Sequence, residues 1–236
     1  MGRPDLLGVL EARLGHAFRD RRLLEQALTH PSAGTPTHNQ RLEFLGDTLL
    51  GTTVTLLLFR EKPEWTEGQL SKFRHQLVST ESLHAWAQDL GLELRTGQAA
   101  QRDRLKTSFR KPLADGVEAL LAAVFLDCQA RGEDGLAVLL RLVTARYGAE
   151  VRAAGVGVWE ALDPKTTLQE RAASLGLPAP VYALLARSGP DHAPTFQVRV
   201  HVGAASAEAE GGTLKKAEAE AARELLPKLT KEPPAP

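Results

Sequence analysis

The sequence predicts an all-α domain followed by a small α+β domain with the order α-β-β-β-α. In the first part, apolar residues recur at helical spacing over several segments. Residues 195–202, TFQVRVHV, instead alternate apolar and polar side chains, which is typical of a strand with one buried face. Between these parts, residues 151–162 carry Gly and Ala without clear periodicity. We therefore expect a helical domain over 1–150, a linker over 151–162, an α+β domain over 163–230 and a disordered tail over 231–236.

The composition limits the classes of protein that this chain can belong to. The 236 residues include 29 Lys and Arg against 29 Asp and Glu, so phosphate binding must depend on local clusters rather than on bulk charge. The single cysteine, Cys128, excludes an intramolecular disulfide and fits a reducing compartment. The N-terminus does not have the pattern of a signal peptide, and no apolar run approaches the ~18 residues that a membrane helix needs. We expect a cytoplasmic protein without a membrane partner.

Helices of the first domain follow from apolar periodicity and its interruptions. The first two have leucines on one face, and a loop rich in Pro, Ser, Thr and Asn follows them. A strongly apolar helix then runs from Gln40 to about Phe59 and ends before Pro63. The predicted helices are residues 4–14, 21–29, 40–59, 67–78, 82–90, 113–128 and 136–147.

Two of these apolar helices each contain a pair of carboxylates. Glu43 and Asp47 lie four residues apart and Asp115 and Glu118 three apart, so each pair shares one helix face. Burying unpaired carboxylates is costly, and Lys and Arg are absent from residues 42–58, so a cation must come from elsewhere. Four acids converging on one site would need protons or hard divalent cations, and all-oxygen ligands suit Mg²⁺ or Mn²⁺.

Two other interpretations of the acids are open from the residues alone. The four carboxylates could be solvated or form ordinary ion pairs. A helical di-iron site would need two Glu-x-x-His pairs, and the sequence has only Glu81 with His84. The sequence therefore favours a magnesium or manganese site over di-iron.

The second domain has a predicted helix, three strands and a helix. Pro164 stands in the first turn of the first helix, a position where proline is tolerated. Lys215 and Lys216 begin the last helix after Gly211 and Gly212, so free backbone N–H groups and two lysines would form an anion site. The predicted elements are residues 163–177, 181–190, 195–202, 205–212 and 214–229.

Two long motifs resemble a known family. HNQRLEFLGDTLL at 38–50 is similar to the signature of bacterial ribonuclease III, and LADGVEALLAAVFLD at 113–127 is similar to that family's second acidic motif. DPKTTLQE, GPDH and KKAEAEAA resemble pieces of a double-stranded RNA-binding domain. The resemblance implies a homodimeric endonuclease that cuts double-stranded RNA, leaving 5′-phosphate and 3′-hydroxyl ends and short 3′ overhangs. It further implies roles in processing rRNA and mRNA precursors and in RNA decay.

The resemblance also implies roles for individual residues. Mg²⁺ would be the cofactor, with Mn²⁺ able to substitute and no small-molecule cofactor, and all four acids would hold it. Asp47 and Glu118 would in addition be catalytic. In the second domain one RNA minor groove would be contacted near the first helix and the next by a loop, with lysines gripping the phosphates between. These RNA-binding residues would be Thr166, Gln169, Glu170, Pro190, His192, Lys215 and Lys216.

A basic segment lies directly before the second acidic helix. Residues 96–111 contain five Lys and Arg against one acid, so they could attract a phosphate backbone or form a solvated loop. The basic residues are Arg102, Arg104, Lys106, Arg110 and Lys111.

Three positions depart from the family pattern. Gln40 replaces a usual Glu, Gly116 a larger residue, and Leu214 the first of two lysines. One rival class is a non-catalytic RNA-binding protein that uses the nuclease fold to dimerise; the presence of all four acids argues against it. Another is a helical metal-binding protein unrelated to nucleic acid, which the second domain argues against.

Overall fold

Helices build the N-terminal part of the chain, and a three-stranded sheet with two helices builds the C-terminal part. The structure is a computed structural model, and it describes residues 5–98, 109–155, 158, 162–190 and 193–229. It divides into two units, Met1–Ala153 and Ala154–Pro236. The predicted fold class is confirmed. The predicted tail over 231–236 lies outside the described residues.

The described N-terminal unit contains seven α-helices and a short 3₁₀ turn at Pro31–Ala33. Thr66 begins the fourth helix with a capping box, in which its side chain and that of Gln69 each accept from the other's backbone N–H. The helices are α1 Leu6–Leu14, α2 Arg21–Ala27, α3 Gln40–Glu61, α4 Glu67–Leu77, α5 Thr80–Leu90, α6 Arg110–Ala130 and α7 Gly135–Ala153.

Helix α6 is the centre of this unit. Its small and apolar residues from Ala119 to Val124 are at most 1% exposed, and it packs against α2, α3, α5 and α7. Asp127, near its end, is also buried and accepts hydrogen bonds from His16 and from the backbone N–H groups of Arg19 and Asp20. Because these bonds satisfy a buried carboxylate, they fix the start of α2 against α6.

Two predictions about this unit are wrong in detail. The last helix extends to Ala153 rather than residue 147, since Tyr147, Gly148 and Val151 continue its buried face. The expectation that no segment is long and apolar enough to cross a membrane is also wrong for α3, by length and composition only. That helix carries Glu43 and Asp47 and packs against α6 and α7, and a core helix of a soluble protein passes the same test.

The C-terminal unit has an antiparallel sheet in the order β1-β2-β3. Val198, Val200 and Val202 on β2 are at most 1% exposed and belong to one core with both helices, whereas Arg199 and His201 between them are exposed. The predicted alternation of this strand is therefore confirmed. The elements are α8 Pro164–Ser174, β1 Val181–Ser188, β2 Thr195–Val202, β3 Ala205–Gly211 and α9 Leu214–Leu225, followed by a 3₁₀ turn at Leu226–Lys228.

Candidate metal centre

A close approach of α3 and α6 brings the two acidic pairs together. A Cβ atom added to Gly46 would lie 1.9 Å from the carbonyl oxygen of Glu118 and 2.4 Å from its carbonyl carbon. Only a residue without a side chain fits there, because backbone atoms cannot move aside as the end of a flexible side chain can. Gly46 lies between Glu43 and Asp47 in sequence, so the contact occurs at the level of the acids.

Three of the four predicted acids form a cluster. Glu43, Asp115 and Glu118 each offer a carboxylate oxygen, these oxygens lie within 4.8 Å of one another, and all three residues are half-buried. Asp47 is exposed and is not in this group, although it lines the same cleft, which has a volume of about 520 Å³. The structure thus places all four acids at one cleft and brings three of them close enough to share one metal ion.

Burial and mutual repulsion disfavour the ionised form of carboxyl groups in this cluster. Burial raises the pKa of Glu118 to about 7, and the nearby carboxylates of Asp47, Asp115 and Glu43 contribute to the same rise. Burial also raises the pKa of Glu43, followed by the charge of Asp115. Positive charge that enters the cleft would therefore stabilise the ionised form of these carboxyl groups.

Residues 42–58 contain no Lys or Arg that could compensate the acids. Lys111, which lines the same cleft, supplies a cation. Its ammonium donates hydrogen bonds to both carboxylate oxygens of Asp115, at 2.7 and 2.9 Å. The signal is present in the sequence, because Lys111 and Asp115 are four residues apart at the start of α6. Treating Lys111 only as part of the basic segment misses this pairing.

The donor set of the cleft fits a hard divalent cation. All the converging ligand atoms are carboxylate oxygens, which suit Mg²⁺ or Mn²⁺ better than metals that prefer nitrogen or sulfur. The raised pKa values of Glu118 and Glu43 mean that Lys111 compensates the cluster only in part. A divalent ion would supply further positive charge at the cluster.

The predicted RNA-binding residues lie at three places in the C-terminal unit. Thr166 is half-buried on α8, with Gln169 and Glu170 exposed at the next turn of that helix. Pro190 is exposed after β1, and His192 lies outside the described residues. Contact with RNA at these positions stays a prediction.

The remaining predicted contacts, Lys215 and Lys216, are exposed in the first turn of α9. The Thr213 side chain caps this helix by accepting from the backbone N–H of Lys216 at 3.2 Å. Leu214, at the position where the family pattern has a lysine, is 42% exposed, so nothing in its surroundings requires an apolar residue there. Within the basic segment 96–111, Arg102, Arg104 and Lys106 lie outside the described residues.

Comparison with known proteins agrees with the fold. A family model described as Ribonuclease-III-like matches residues 20–134, and one described as a double-stranded RNA binding motif matches residues 164–229. Together with the acidic cleft, these matches define an endoribonuclease that carries a double-stranded RNA-binding domain.

The similarity to individual proteins extends over the chain. The chain is 44% identical to ribonuclease 3 of Dinoroseobacter shibae over 91% of each chain, and 44% identical to that of Azorhizobium caulinodans over 92% of each. It is 31% identical to the solved nuclease domain of ribonuclease III from Campylobacter jejuni, with a TM-score of 0.52, covering 60% of this chain and 99% of that one. The chain belongs to the ribonuclease III family.

Proposed function

We propose that this endoribonuclease cleaves double-stranded RNA in a reaction that depends on Mg²⁺, for which Mn²⁺ can substitute. The products would be 5′-phosphate and 3′-hydroxyl ends with short 3′ overhangs, formed in the processing of rRNA and mRNA precursors and in RNA decay. The observation that carries the proposal is the convergence of Glu43, Asp115 and Glu118 within 4.8 Å, with Asp47 at the same cleft.

Glu43, Asp47, Asp115 and Glu118 would hold the ion, and nucleases of this family are metal-dependent. A bound divalent ion supplies polarisation of water and of the phosphate, and stabilises charge on the leaving oxygen. The residues of this chain hold the carboxylates in place for that purpose. Gly46 fixes the distance between α3 and α6, and buried side chains along α6 hold its position. Asp47, the most exposed of the four acids, would be the one nearest to the substrate side.

The C-terminal domain would hold the duplex. Its proposed contacts are Thr166, Gln169 and Glu170 on α8, Pro190 and His192 after β1, and the lysine pair Lys215 and Lys216 on α9. These residues would read the shape of A-form RNA, its 2′-hydroxyls and its phosphates, largely without reading base sequence. We further propose domain boundaries at 1–150 and 163–230, and a cytoplasmic location.

The enzyme is proposed to act as a homodimer through α3. Phe44 and Phe59 on this helix are 81% and 70% exposed, although the described helix also forms part of the core. Large exposed apolar side chains on one element favour a protein interface. One solved nuclease domain from Campylobacter jejuni is described as having structural flexibility in a region involved in dimer formation. Two-fold symmetry would give one cleft for each strand of a duplex.

Sedimentation velocity tests the dimer. The full chain at micromolar concentration should sediment as a dimer, and Phe44→Ala should shift it toward monomer. Leu184→Ala is the control, because Leu184 is a 53% exposed residue of the C-terminal unit. A wild-type chain that sediments as a monomer would rule out the dimer.

Cleavage of an end-labelled RNA duplex tests the activity. The full chain should cut the duplex in Mg²⁺ or Mn²⁺ and should bind without cutting in EDTA or Ca²⁺. Ligation and phosphatase treatment of the products identify the chemistry of their ends. Binding without cleavage in every metal would favour the rival class, a non-catalytic RNA-binding protein.

A further inference from the structure

Lys111 holds a position in the cleft that the proposed function leaves unexplained. It lies in the first turn of α6, and its ammonium occupies both carboxylate oxygens of Asp115. Asp115 is also one of the three acids whose oxygens lie within 4.8 Å of one another. The same carboxylate is therefore the partner of an internal cation and a ligand of the proposed metal centre.

Lys111 offsets part of the negative charge in the cleft. Among the described residues that line it, Lys111 is the cationic side chain and faces four acids, Glu43, Asp47, Asp115 and Glu118. Its charge also interacts with Glu43 and Glu118, beyond its direct partner. In the metal-free protein, Lys111 thus relieves part of the repulsion among the acids, and a divalent ion, with its larger charge, would relieve more of it.

The geometry allows the Lys111 side chain to move away from Asp115. Its side chain is 69% exposed, whereas that of Asp115 is 21% exposed, so the ammonium can move into solvent and the carboxylate stays in the cleft. The ammonium lies against both carboxylate oxygens of Asp115, so a divalent ion that binds this carboxylate comes close to a second positive charge, and the two cations repel each other at short distance.

We propose that Lys111 is a resident counter-ion of the acidic cluster, which a divalent metal must displace from Asp115, so that Lys111 sets the metal affinity of the centre. Lys111 is a positioning residue: it keeps the metal-free carboxylates together and weakens metal binding. This inference rests on the proposed metal centre. The experiment must therefore separate failure of the centre from failure of the counter-ion.

Mn²⁺ binding to the full-length protein without RNA, followed by electron paramagnetic resonance of the free ion, tests the proposal. Lys111→Ala and Lys111→Gln should each bind Mn²⁺ about threefold to tenfold more tightly than wild type, since an exposed ion pair and a cation–cation repulsion are both lost. Lys111→Arg keeps the charge and the helical spacing and should bind as wild type does. Arg110→Ala is the matched control, because it removes one charge from the adjacent residue, which does not line the cleft.

Thermal unfolding of the same variants gives a readout that does not involve activity. Without metal, Lys111→Ala should melt at a lower temperature than wild type, because the acids lose their counter-ion. The rise in Tm on adding saturating Mn²⁺ should be larger for Lys111→Ala than for wild type, as expected when a ligand binds the folded state more tightly.

The outcomes separate the two proposals. If wild type and Lys111→Ala both fail to bind Mn²⁺, the metal centre itself is wrong. If wild type binds Mn²⁺ and Lys111→Ala and Lys111→Gln bind it equally or less tightly, the counter-ion role is overturned while the centre stands. Equal tightening by Lys111→Ala and Arg110→Ala would also overturn it, since a general loss of positive charge would then explain the effect.

Discussion

At the scale of single residues, Glu118 is a carboxyl group whose ionised form is destabilised in the folded, metal-free protein. A bound metal ion would offset this cost. The Glu118 pKa of about 7 lies above the ordinary value of 4.5, because the side chain is half-buried and three other acids are close. Between these two values the folded protein binds more protons than the unfolded chain. The free energy of unfolding of the metal-free protein therefore falls as pH rises from about 4.5 to 7.

Replacing Glu118 with Gln should separate stability from activity. In EDTA at pH 8 the variant should be more stable than wild type by on the order of 1 kcal/mol, since solvent screening leaves only part of the full pKa effect. At pH 5, where Glu118 is mostly protonated, the difference should disappear. Urea unfolding at both pH values measures this. A difference that persists unchanged at pH 5 would mean that the cluster's charge is not its cause.

The same variant should lose cleavage and keep RNA binding. Removing a carboxylate that holds metal-activated water typically costs several kcal/mol of barrier, which is a loss of orders of magnitude in rate. A gel shift in Ca²⁺ and cleavage in Mg²⁺ can use one labelled duplex. Glu64→Gln, which changes an exposed acid outside the cleft, serves as the control. Near-normal cleavage by Glu118→Gln would contradict the four-carboxylate centre.

Replacing Leu214 tests RNA binding by adding a contact rather than removing one. This residue precedes the Lys215–Lys216 pair and is 42% exposed, so Leu214→Lys should be accommodated and should add a phosphate contact. Duplex binding should tighten at low salt, and the slope of log affinity against log salt should steepen by about 0.7–0.9. Leu185→Lys is the matched control, because Leu185 is 41% exposed on β1. Equal tightening by both variants would indicate a nonspecific charge effect.

At the scale of elements, the sequence predicts the helices better than it predicts their contacts. The periodicity of residues 40–59 and the alternation of 195–202 are local, so helix α3 and strand β2 can be read directly. The close approach at Gly46 cannot, because it depends on the backbone of Glu118, which lies far along the chain on another helix. The pairing of Lys111 with Asp115 can be read from helical spacing, whereas the exposed position of Asp47 follows from how α3 packs on α6.

Gly46→Ala should disrupt the centre by separating two helices. Its Cβ would fall 1.9 Å from a backbone oxygen, so α3 and α6 must shift, at a cost of about 1–3 kcal/mol or more. Mn²⁺ affinity and cleavage should both fall, because the acids of the two helices move apart. Gly68→Ala on α4 is the control: nothing lies within 4 Å of its added Cβ, and alanine favours a helix. Urea unfolding and Mn²⁺ binding measure both effects, and wild-type behaviour of Gly46→Ala would contradict the close approach.

At the scale of the whole molecule, neither part of the chain accounts for the proposed function alone. The formal charge is zero over 29 basic and 29 acidic residues, so long-range attraction does not hold the duplex. The acidic cleft, if empty of metal, would repel phosphate. We therefore expect binding to come from local groups such as Lys215 and Lys216 in the C-terminal unit, and cleavage to depend on the acids of the N-terminal unit.

Truncation after Gly155 should separate these two activities. The N-terminal unit should fold alone, since a nuclease domain of the family has been solved by itself from Campylobacter jejuni. The truncated chain should bind duplex RNA far more weakly, because α8 and α9 with their polar and basic residues are removed. It should still cleave at low salt with ample Mg²⁺ or Mn²⁺, where attraction through the metal is strongest. A gel shift in Ca²⁺ and cleavage at two salt concentrations measure this, with Lys215→Ala/Lys216→Ala in the full chain as an intermediate case. Undiminished binding by the truncated chain would show that the C-terminal unit is not the main RNA-binding module.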